Sequence, residues 1–355
     1  MPNSPPSQSA EMSGADHQLR QFLVRSGLAD HNSPFRAIAL PGGVSCDVWK
    51  VESGGRTFCV KRALPRLRVA KLWEAPVARS EAEWNWLNFA RSVEPTAVPH
   101  ALAHDAEAGM IAIEYLEPAQ YPVWKQQLFD GIVDPNVAAS VARIIARIHA
   151  TSAGDPDIAA QFKTREAFYA LRIEPYLLEA ARQNPMVEEP LNRLAELTLQ
   201  TEIALAHGDL SPKNILVGHK GPMILDAETA WYGDPAFDVA FCLNHLLLKC
   251  VARPQLTEGY FSCFESFRSA YLAGVAWEEA AGVESRAARL LPALLLARVD
   301  GKSPVEYLMS AQQSFVRDRA IELIRQSPAQ LHTIAQIWRD AVTHFHSRSG
   351  HSRAG

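Results

Sequence analysis

Residues 205–228 constrain this chain more than any other stretch. His207-Gly208-Asp209-Leu210-Ser211-Pro212-Lys213-Asn214 runs into the apolar Ile215-Leu216, and a second apolar run, Met223-Ile224-Leu225, ends on Asp226 with Glu228 two residues on. The spacing predicts a hairpin that holds an Asp, an Asn five positions later and a second Asp beyond it. Carboxylates among buried apolar neighbours are costly unless a cation or a hydrogen-bond donor meets them. Asp209 is the candidate general base, able to orient a hydroxyl nucleophile and take its proton. Asn214 and Asp226 offer hard oxygen ligands of the kind Mg²⁺ takes. Glu228 lies on the same side as Asp226 if the chain stays extended, and either joins that metal cluster or makes a surface salt bridge. His207 reads as a buried structural histidine that starts the motif, and Pro212 as a stiffener of the loop.

The hydrophobic pattern changes along the chain. Short β-like runs at 38–40, 47–51 and 57–61 alternate with turns at Pro41-Gly42-Gly43 and Ser53-Gly54-Gly55, and Ile111-Ala112-Ile113-Glu114-Tyr115 is the clearest strand. Helices are expected at 18–28 and 78–92, and beyond about residue 122 the pattern is mainly helical. Strands first and helices later imply an α+β fold with two lobes. The expected boundaries are a tail over 1–15, a sheet-rich N-lobe over 16–117, a helical C-lobe over 118–345 and a tail over 346–355. Glu117-Pro118 is the crossing point.

Gly42, Gly43 and Ser45 lie between two strands, where backbone N–H groups and a hydroxyl could approach phosphate oxygens. Lys61 ends a later β-run and is either a phosphate partner or an edge-strand gatekeeper. A carboxylate to hold it comes from helix 80–91. Counting i+3, i+4 and i+7 from Glu83 gives Trp86, Leu87 and Ala90, an inward face, which favours Glu83 over Glu81. The basic residues Arg62, Arg66, Arg68, Lys71 and Arg79 form either a steering patch for an anion or a solvated loop. Asp238, in the first turn of the apolar helix near 239–249, reads as an acceptor bracing the loop around Asp209.

In this order, H-G-D-x-x-x-x-N followed by an apolar run and D-x-E resembles the catalytic loop and metal-binding segment of kinases. The whole set, Gly42-Gly43-Val44-Ser45, Lys61, Glu83, Glu114-Tyr115-Leu116, His207–Leu216 and Asp226–Asp238, resembles the aminoglycoside phosphotransferase/choline kinase-like superfamily of small-molecule kinases. The resemblance implies a protein-kinase-like fold, ATP and Mg²⁺ as cofactors, and a small-molecule hydroxyl acceptor. It also implies that Lys61, braced by Glu83, engages nucleotide phosphates, and that Glu114 and Leu116 flank the hinge where adenine meets backbone groups. The D-x-E segment is similar to that of methylthioribose and choline/ethanolamine kinases, although the loop reads Ser-Pro-Lys-Asn where methylthioribose kinases usually read His-Thr-Gly-Ser. A nucleotide-binding pseudokinase is the non-enzymatic alternative.

For the acceptor, Arg298, Asp300 and Lys302 interrupt the C-terminal helical pattern, either as substrate contacts or as a helix–helix connection. An aromatic cage for a quaternary amine would draw on Trp124, Tyr169, Tyr176, Trp231 and Tyr232. A net charge of −4 gives no support for a nucleic-acid partner. The five scattered Cys form no CxxC pair, the N-terminus lacks the pattern of a signal peptide, and no apolar stretch is long enough to span a bilayer, so a cytoplasmic location with no membrane partner is expected.

Overall fold

In the computed structural model, which describes residues 14–32, 34–41, 45–68 and 73–351, the N-terminal third is built on one antiparallel sheet. Its strands are β1 (Phe35–Ala39), β2 (Cys46–Ser53), β3 (Arg56–Ala63), β4 (Ala101–Asp105) and β5 (Met110–Glu114), in spatial order β1-β2-β3-β5-β4. Helix α1 (Gly14–Arg25) covers one face and α2 (Arg79–Val93) the other. Successive side chains of a strand point to opposite faces. Accordingly Met110 and Ala112 pack with Leu19, Phe22 and Leu23 of α1, while Ile111 and Ile113 join the cluster containing Trp86, Leu87 and Ala90 of α2.

The same alternation sets β3. Val60 packs on the α1 side, so Lys61, paired with Ile111 across the ladder, projects to the α2 side. On α2 the buried positions Arg79, Glu83, Trp86, Leu87 and Ala90 form one stripe at helical spacing. Lys61 and Glu83 are therefore brought together by the period of a strand and the period of a helix.

After β5 the chain enters a mainly helical lobe: α3 (Trp124–Phe129), α4 (Pro135–Ser152), α5 (Pro156–Gln161), α6 (Arg165–Phe168), a π-helix (Tyr169–Leu178), α7 (Glu179–Gln183), α8 (Glu188–Gln200), α9 (Ala236–Ala252), α10 (Thr257–Ala273), α11 (Ala280–Asp300), α12 (Ser310–Gln326) and α13 (Leu331–His351). The core packs α4 and α9 against α10, and α11 against α9 and α12. Helix α9 is buried on all sides, in accord with its mainly apolar sequence, and its few polar residues, Asp238, Asn244, His245 and Lys249, are buried with it. Two small two-stranded sheets interrupt the helices. β6 (Ala204–Ala206) pairs with β9 (Trp231–Gly233), and β7 (Ile215–Gly218) with β8 (Gly221–Ile224). The loop between β6 and β7 carries Asp209, and the turn after β8 carries Asp226.

This is the two-lobed α+β fold expected from sequence. Two boundary expectations change. The tail assigned to 346–355 is overturned over 346–351, because α13 continues to His351. The tail assigned to 1–15 lies outside the described residues up to residue 13, and residues 14 and 15 already belong to α1. The π-helix was not foreseen. It contains Pro175, and such wide turns arise where a ring or an inserted residue breaks the regular backbone ladder.

Candidate active site

Lys61, Glu83 and Asp226 meet between the lobes. The Lys61 Nζ donates to Glu83 Oε1 and Oε2 at 2.7 and 2.8 Å, and to Asp226 Oδ1 at 2.5 Å. Glu81, the alternative partner, is exposed on the opposite side of α2. Burial disfavours the charge on Lys61, yet the Asp226 and Glu83 carboxylates outweigh it and hold the ammonium well above its ordinary pKa. Asp226 is likewise pulled below the usual carboxylate range, with Lys61 overcoming the penalty of burial. Its backbone is left-handed, φ 68°. A non-glycine residue held there is uncommon outside Asn and Asp, and such strain concentrates at functional sites.

Glu228 does not make the surface salt bridge considered above. Its Oε2 accepts a 2.9 Å hydrogen bond from Nε of Arg79, a side chain with no exposed surface. Arg79 also donates to the carbonyls of Ser45, Leu64, Ala75 and Pro76. The expectation of a solvated or steering role is therefore overturned for Arg79, which ties Glu228 to the backbone at Ser45 and Leu64. Gly42 and Gly43 lie outside the described residues. Ser45 is described, with its carbonyl accepting from Arg79 and from the amide of Leu64. At the lobe crossing, Glu114 is paired with Phe58 at the end of the ladder and accepts through Oε2 from the amide of His100, and Leu116 follows half-buried.

The loop around Asp209 is held from below. Asp238, the first acidic residue of α9, accepts from the amides of His207 at 2.7 Å and Gly208 at 2.8 Å, and His149 of α4 meets its Oδ2 at 3.1 Å. The His207 ring lies between Leu225 O and the amide of Asp209, linking the two arms of the site. Gly208 has φ +75°, and a Cβ there would meet Thr229 O at 2.5 Å, which explains a glycine directly after this histidine.

Asp209 itself is almost fully buried. Its Oδ2 receives Asn214 Nδ2 at 2.9 Å, Arg172 Nη2 at 2.8 Å and Lys213 Nζ at 3.1 Å, whereas Oδ1 has no protein partner among the described residues. Burial would raise its pKa, but Arg172 and Lys213 bring it below the ordinary value, so it is ionised and able to accept a proton. Asn214 spends its NH₂ on Asp209, which leaves the amide oxygen for a cation. Arg172, from the π-helix, also donates to Gly208 O at 2.6 Å. It is a site residue that the sequence reading missed, and its signal was a lone Arg between Leu171 and Ile173 in an apolar helix.

The acceptor-side expectations divide. Arg298 Nη1 donates to Tyr176 Oη at 3.0 Å and to Ser303 Oγ at 3.1 Å, and Arg298 has no carboxylate partner among the described residues. Asp300 is turned away, accepting from Arg317 and Asn184, and Lys302 is paired with Glu174 at 2.8 Å. These two are structural connections, so a direct acceptor role is withdrawn for both. The aromatic cage does not assemble either. Trp124 is buried in the core, Trp231 stacks on Phe168, Tyr232 accepts from Gly154, and Tyr169 is exposed, leaving Tyr176 beside the site.

The donor set that remains, Asp226, Asn214 and Glu228, is all oxygen, which fits Mg²⁺ held by one or two carboxylates together with phosphate oxygens. The Lys61 ammonium resting on Asp226 shows that this carboxylate draws a cation. Among the described residues no group of three or more His, Cys, Asp or Glu side chains is preformed for a metal, so the ion would need ligands beyond the protein's carboxylates.

Comparison with known proteins agrees with this fold. A family model described as "Phosphotransferase enzyme family" matches residues 36–274. The chain is 28% identical over 237 residues to a methylthioribose kinase of Escherichia coli O45:K1 (strain S88 / ExPEC), covering 58% of this chain and 56% of that protein. It is 22% identical over 241 residues to a methylthioribose kinase of Bacillus thuringiensis (strain Al Hakam), covering 60% of each. The match thus spans less than two thirds of these relatives' length. Among solved structures, a Plasmodium vivax ethanolamine kinase shares the fold with a TM-score of 0.56 at 12% identity, over 90% of this chain and 93% of that one. An amicoumacin kinase bound to AMP-PNP, Ca²⁺ and Ami does so at 0.50 and 15% identity, over 91% and 99%. A sheet-rich lobe carrying Lys61 and Glu83, a helical lobe carrying Asp209, Asn214 and Asp226, and a family match across both together place this chain in the phosphotransferase enzyme family.

Proposed function

We propose that this chain transfers the γ-phosphoryl group of ATP to a hydroxyl of a small molecule, with Mg²⁺ as cofactor. The observation that carries the reading is the convergence, across two lobes, of the Lys61–Glu83–Asp226 cluster and the Asp209–Asn214 pair. Lys61 engages phosphate oxygens and is kept charged and in place by Glu83. Asp226 and Asn214 would hold Mg²⁺, with the oxygen of Glu228 that Arg79 leaves free as a third donor. Bound there, the ion would neutralise charge on the β- and γ-phosphates.

Asp209 orients the acceptor hydroxyl. Its Oδ2 is fixed by three donors, so Oδ1 is the oxygen that receives the proton. A bond forms between the acceptor oxygen and phosphorus, the bond from phosphorus to the β–γ bridging oxygen breaks, ADP leaves, and the proton rests on Asp209. Arg172 keeps Asp209 ionised and fixes its rotamer, so it is a positioning residue.

The relatives named methylthioribose kinases support a sugar-like acceptor as a second reading. A pseudokinase is disfavoured by the completeness of the Lys–Glu–Asp–Asn–Asp set. No helix among the described residues is long and apolar enough to cross a membrane. The test is ADP release from ATP and Mg²⁺ over a panel of sugars, methylthioribose, amino alcohols, hydroxy acids and aminoglycosides, with Asp209→Ala as control. A compound that stimulates release only with Asp209 present supports the reading, and equal turnover by the variant sinks it.

A further inference from the structure

One face of α9 runs away from the catalytic loop and becomes cationic. Asp238, Phe241, His245 and Lys249 succeed one another at three- and four-residue steps, so they form a single stripe about 16 Å long. The stripe begins beneath Asp209, where Asp238 holds the loop. Next comes Phe241, whose ring lies 5.5 Å from the Arg172 guanidinium and 5.6 Å from His245. It ends at Lys249, which is 1% exposed and reaches no carboxylate among the described residues. Lys249 Nζ has only the carbonyl of His245 at 3.3 Å and the faces of Phe129 and Tyr307 at 5.2 and 5.7 Å.

Facing the stripe, Tyr176 sits between two guanidinium groups. Arg172 lies 5.6 Å from its ring and Arg298 5.7 Å, with Arg298 also bonded to its hydroxyl. The Nε of Arg298 and the hydroxyl of Tyr307 are buried without partners among the described residues. The carboxylates nearby are already engaged: Asp209 by Arg172 and Lys213, Glu306 by Lys125. Lys249, buried, and Arg298, half-buried, thus have no ion-paired carboxylate among the described residues, and two buried polar atoms have no hydrogen-bond partner there. Burial first, and the Lys125 charge after it, pushes Lys249 down to about 7, whereas Arg298 and Arg172 overcome burial to lower the Tyr176 phenol, a mark of positive charge around that ring.

An uncompensated buried cation is retained at a cost in stability, and a ligand that neutralises it recovers that cost on binding. We propose that the acceptor is a hydroxy compound bearing an anionic oxygen group, a carboxylate or a phosphate ester, held by Arg298 and Lys249 while its hydroxyl lies on Asp209. The proposal rests on the phosphotransferase reading for the hydroxyl end alone. A cationic acceptor would instead bring an ammonium beside Arg172, Arg298 and Lys249.

The experiment is calorimetric binding to the full chain, with Mg²⁺ and a non-hydrolysable ATP analogue present, of compounds matched except for charge. One set is glycerol, glycerate, glycerol 3-phosphate and 3-aminopropane-1,2-diol, and the other is glucose, gluconate, glucose 6-phosphate and glucosamine. The expected result is at least tenfold tighter binding of an anionic member than of its uncharged and amino counterparts, lost in Arg298→Gln and in Lys249→Met. The carboxylate and phosphate arms tell which anion is preferred. Lys249→Met places an apolar side chain in an apolar surround and is expected to melt higher than the wild type, which separates loss of binding from loss of fold. The absence of any anionic preference, or its persistence in both variants, overturns the proposal. Asp209-dependent ADP release is scored on the same compounds. Anion preference without release would remove the phosphotransferase reading and leave the site, whereas release with only neutral or amino members would do the reverse.

Discussion

Arg172 and Asp209 form an ion pair shielded from water on both sides, with the guanidinium Nη2 2.8 Å from Oδ2 and side-chain exposures of 6% and 3%. The Arg comes from a π-helix and the Asp from a loop more than thirty positions later, and a second bond from Arg172 to Gly208 O fixes that loop's backbone. Replacing Arg172 by Met removes the main charge that holds Asp209 below the usual carboxylate pKa. The acid limb of the pH–rate profile should therefore move upward, and kcat should fall by about 10–100-fold even at its new optimum. Arg172→Lys should recover part of the loss. A purely structural role would lower the yield of folded protein and leave the limb in place.

Asp226→Asn should weaken nucleotide binding chiefly in the presence of Mg²⁺, because the left-handed backbone accepts Asn while the charge is lost. Calorimetry with and without EDTA checks this. In the wild type, chelation is expected to reduce affinity for ATP, and in the variant the two titrations should converge.

Arg79→Met leaves the Glu228 carboxylate buried and the Ser45 and Leu64 carbonyls short of a donor. Breaking a buried ion pair by removing one partner costs about 3–5 kcal/mol, a loss that urea unfolding would register. Adding Glu228→Gln to that variant should recover part of it, and a double-mutant cycle measures the coupling.

Lys249 gives stability a particular pH dependence. Its folded pKa, pushed down to about 7, lies below the ordinary lysine value, so between those limits the unfolded chain binds the extra proton. Below pH 7 both states are protonated and the cost of burying the charge is fully present. Stability should then rise as pH increases from about 7 toward the ordinary lysine range. Melting curves across that window should show the rise in the wild type and a flatter response in Lys249→Met.

Gly208→Ala should be strongly deleterious, since it meets both a positive φ and a backbone oxygen. The expected outcome is a turnover loss of at least about 100-fold, the scale of a displaced catalytic group, with nucleotide binding by Lys61 and Asp226 retained.

The order of motifs made the lobes and the central residues legible in the sequence. Glu83 was separable from Glu81 because its i+3, i+4 and i+7 neighbours are apolar. The same count taken backward by four reaches Arg79, and that step would have lifted it out of the basic loop. Arg172 and Tyr176 could not be placed, because the π-helix shifts the angular positions that a regular helix predicts. Asp300 and Lys302 looked functional because they are charged residues at a break in helix. Their partners, Arg317 and Glu174, are distant in sequence, and only tertiary packing reveals them.

The left-handed backbone at Asp226 also bears on descent. Position 226 admits Asn or Gly with little strain, and each is one nucleotide away from an Asp codon. The side chain that draws the cation can thus be lost by drift while the architecture around it survives. Inactive offspring of such a chain would keep its shape, so resemblance in outline is a poorer guide to inherited chemistry here than the identity of this one residue.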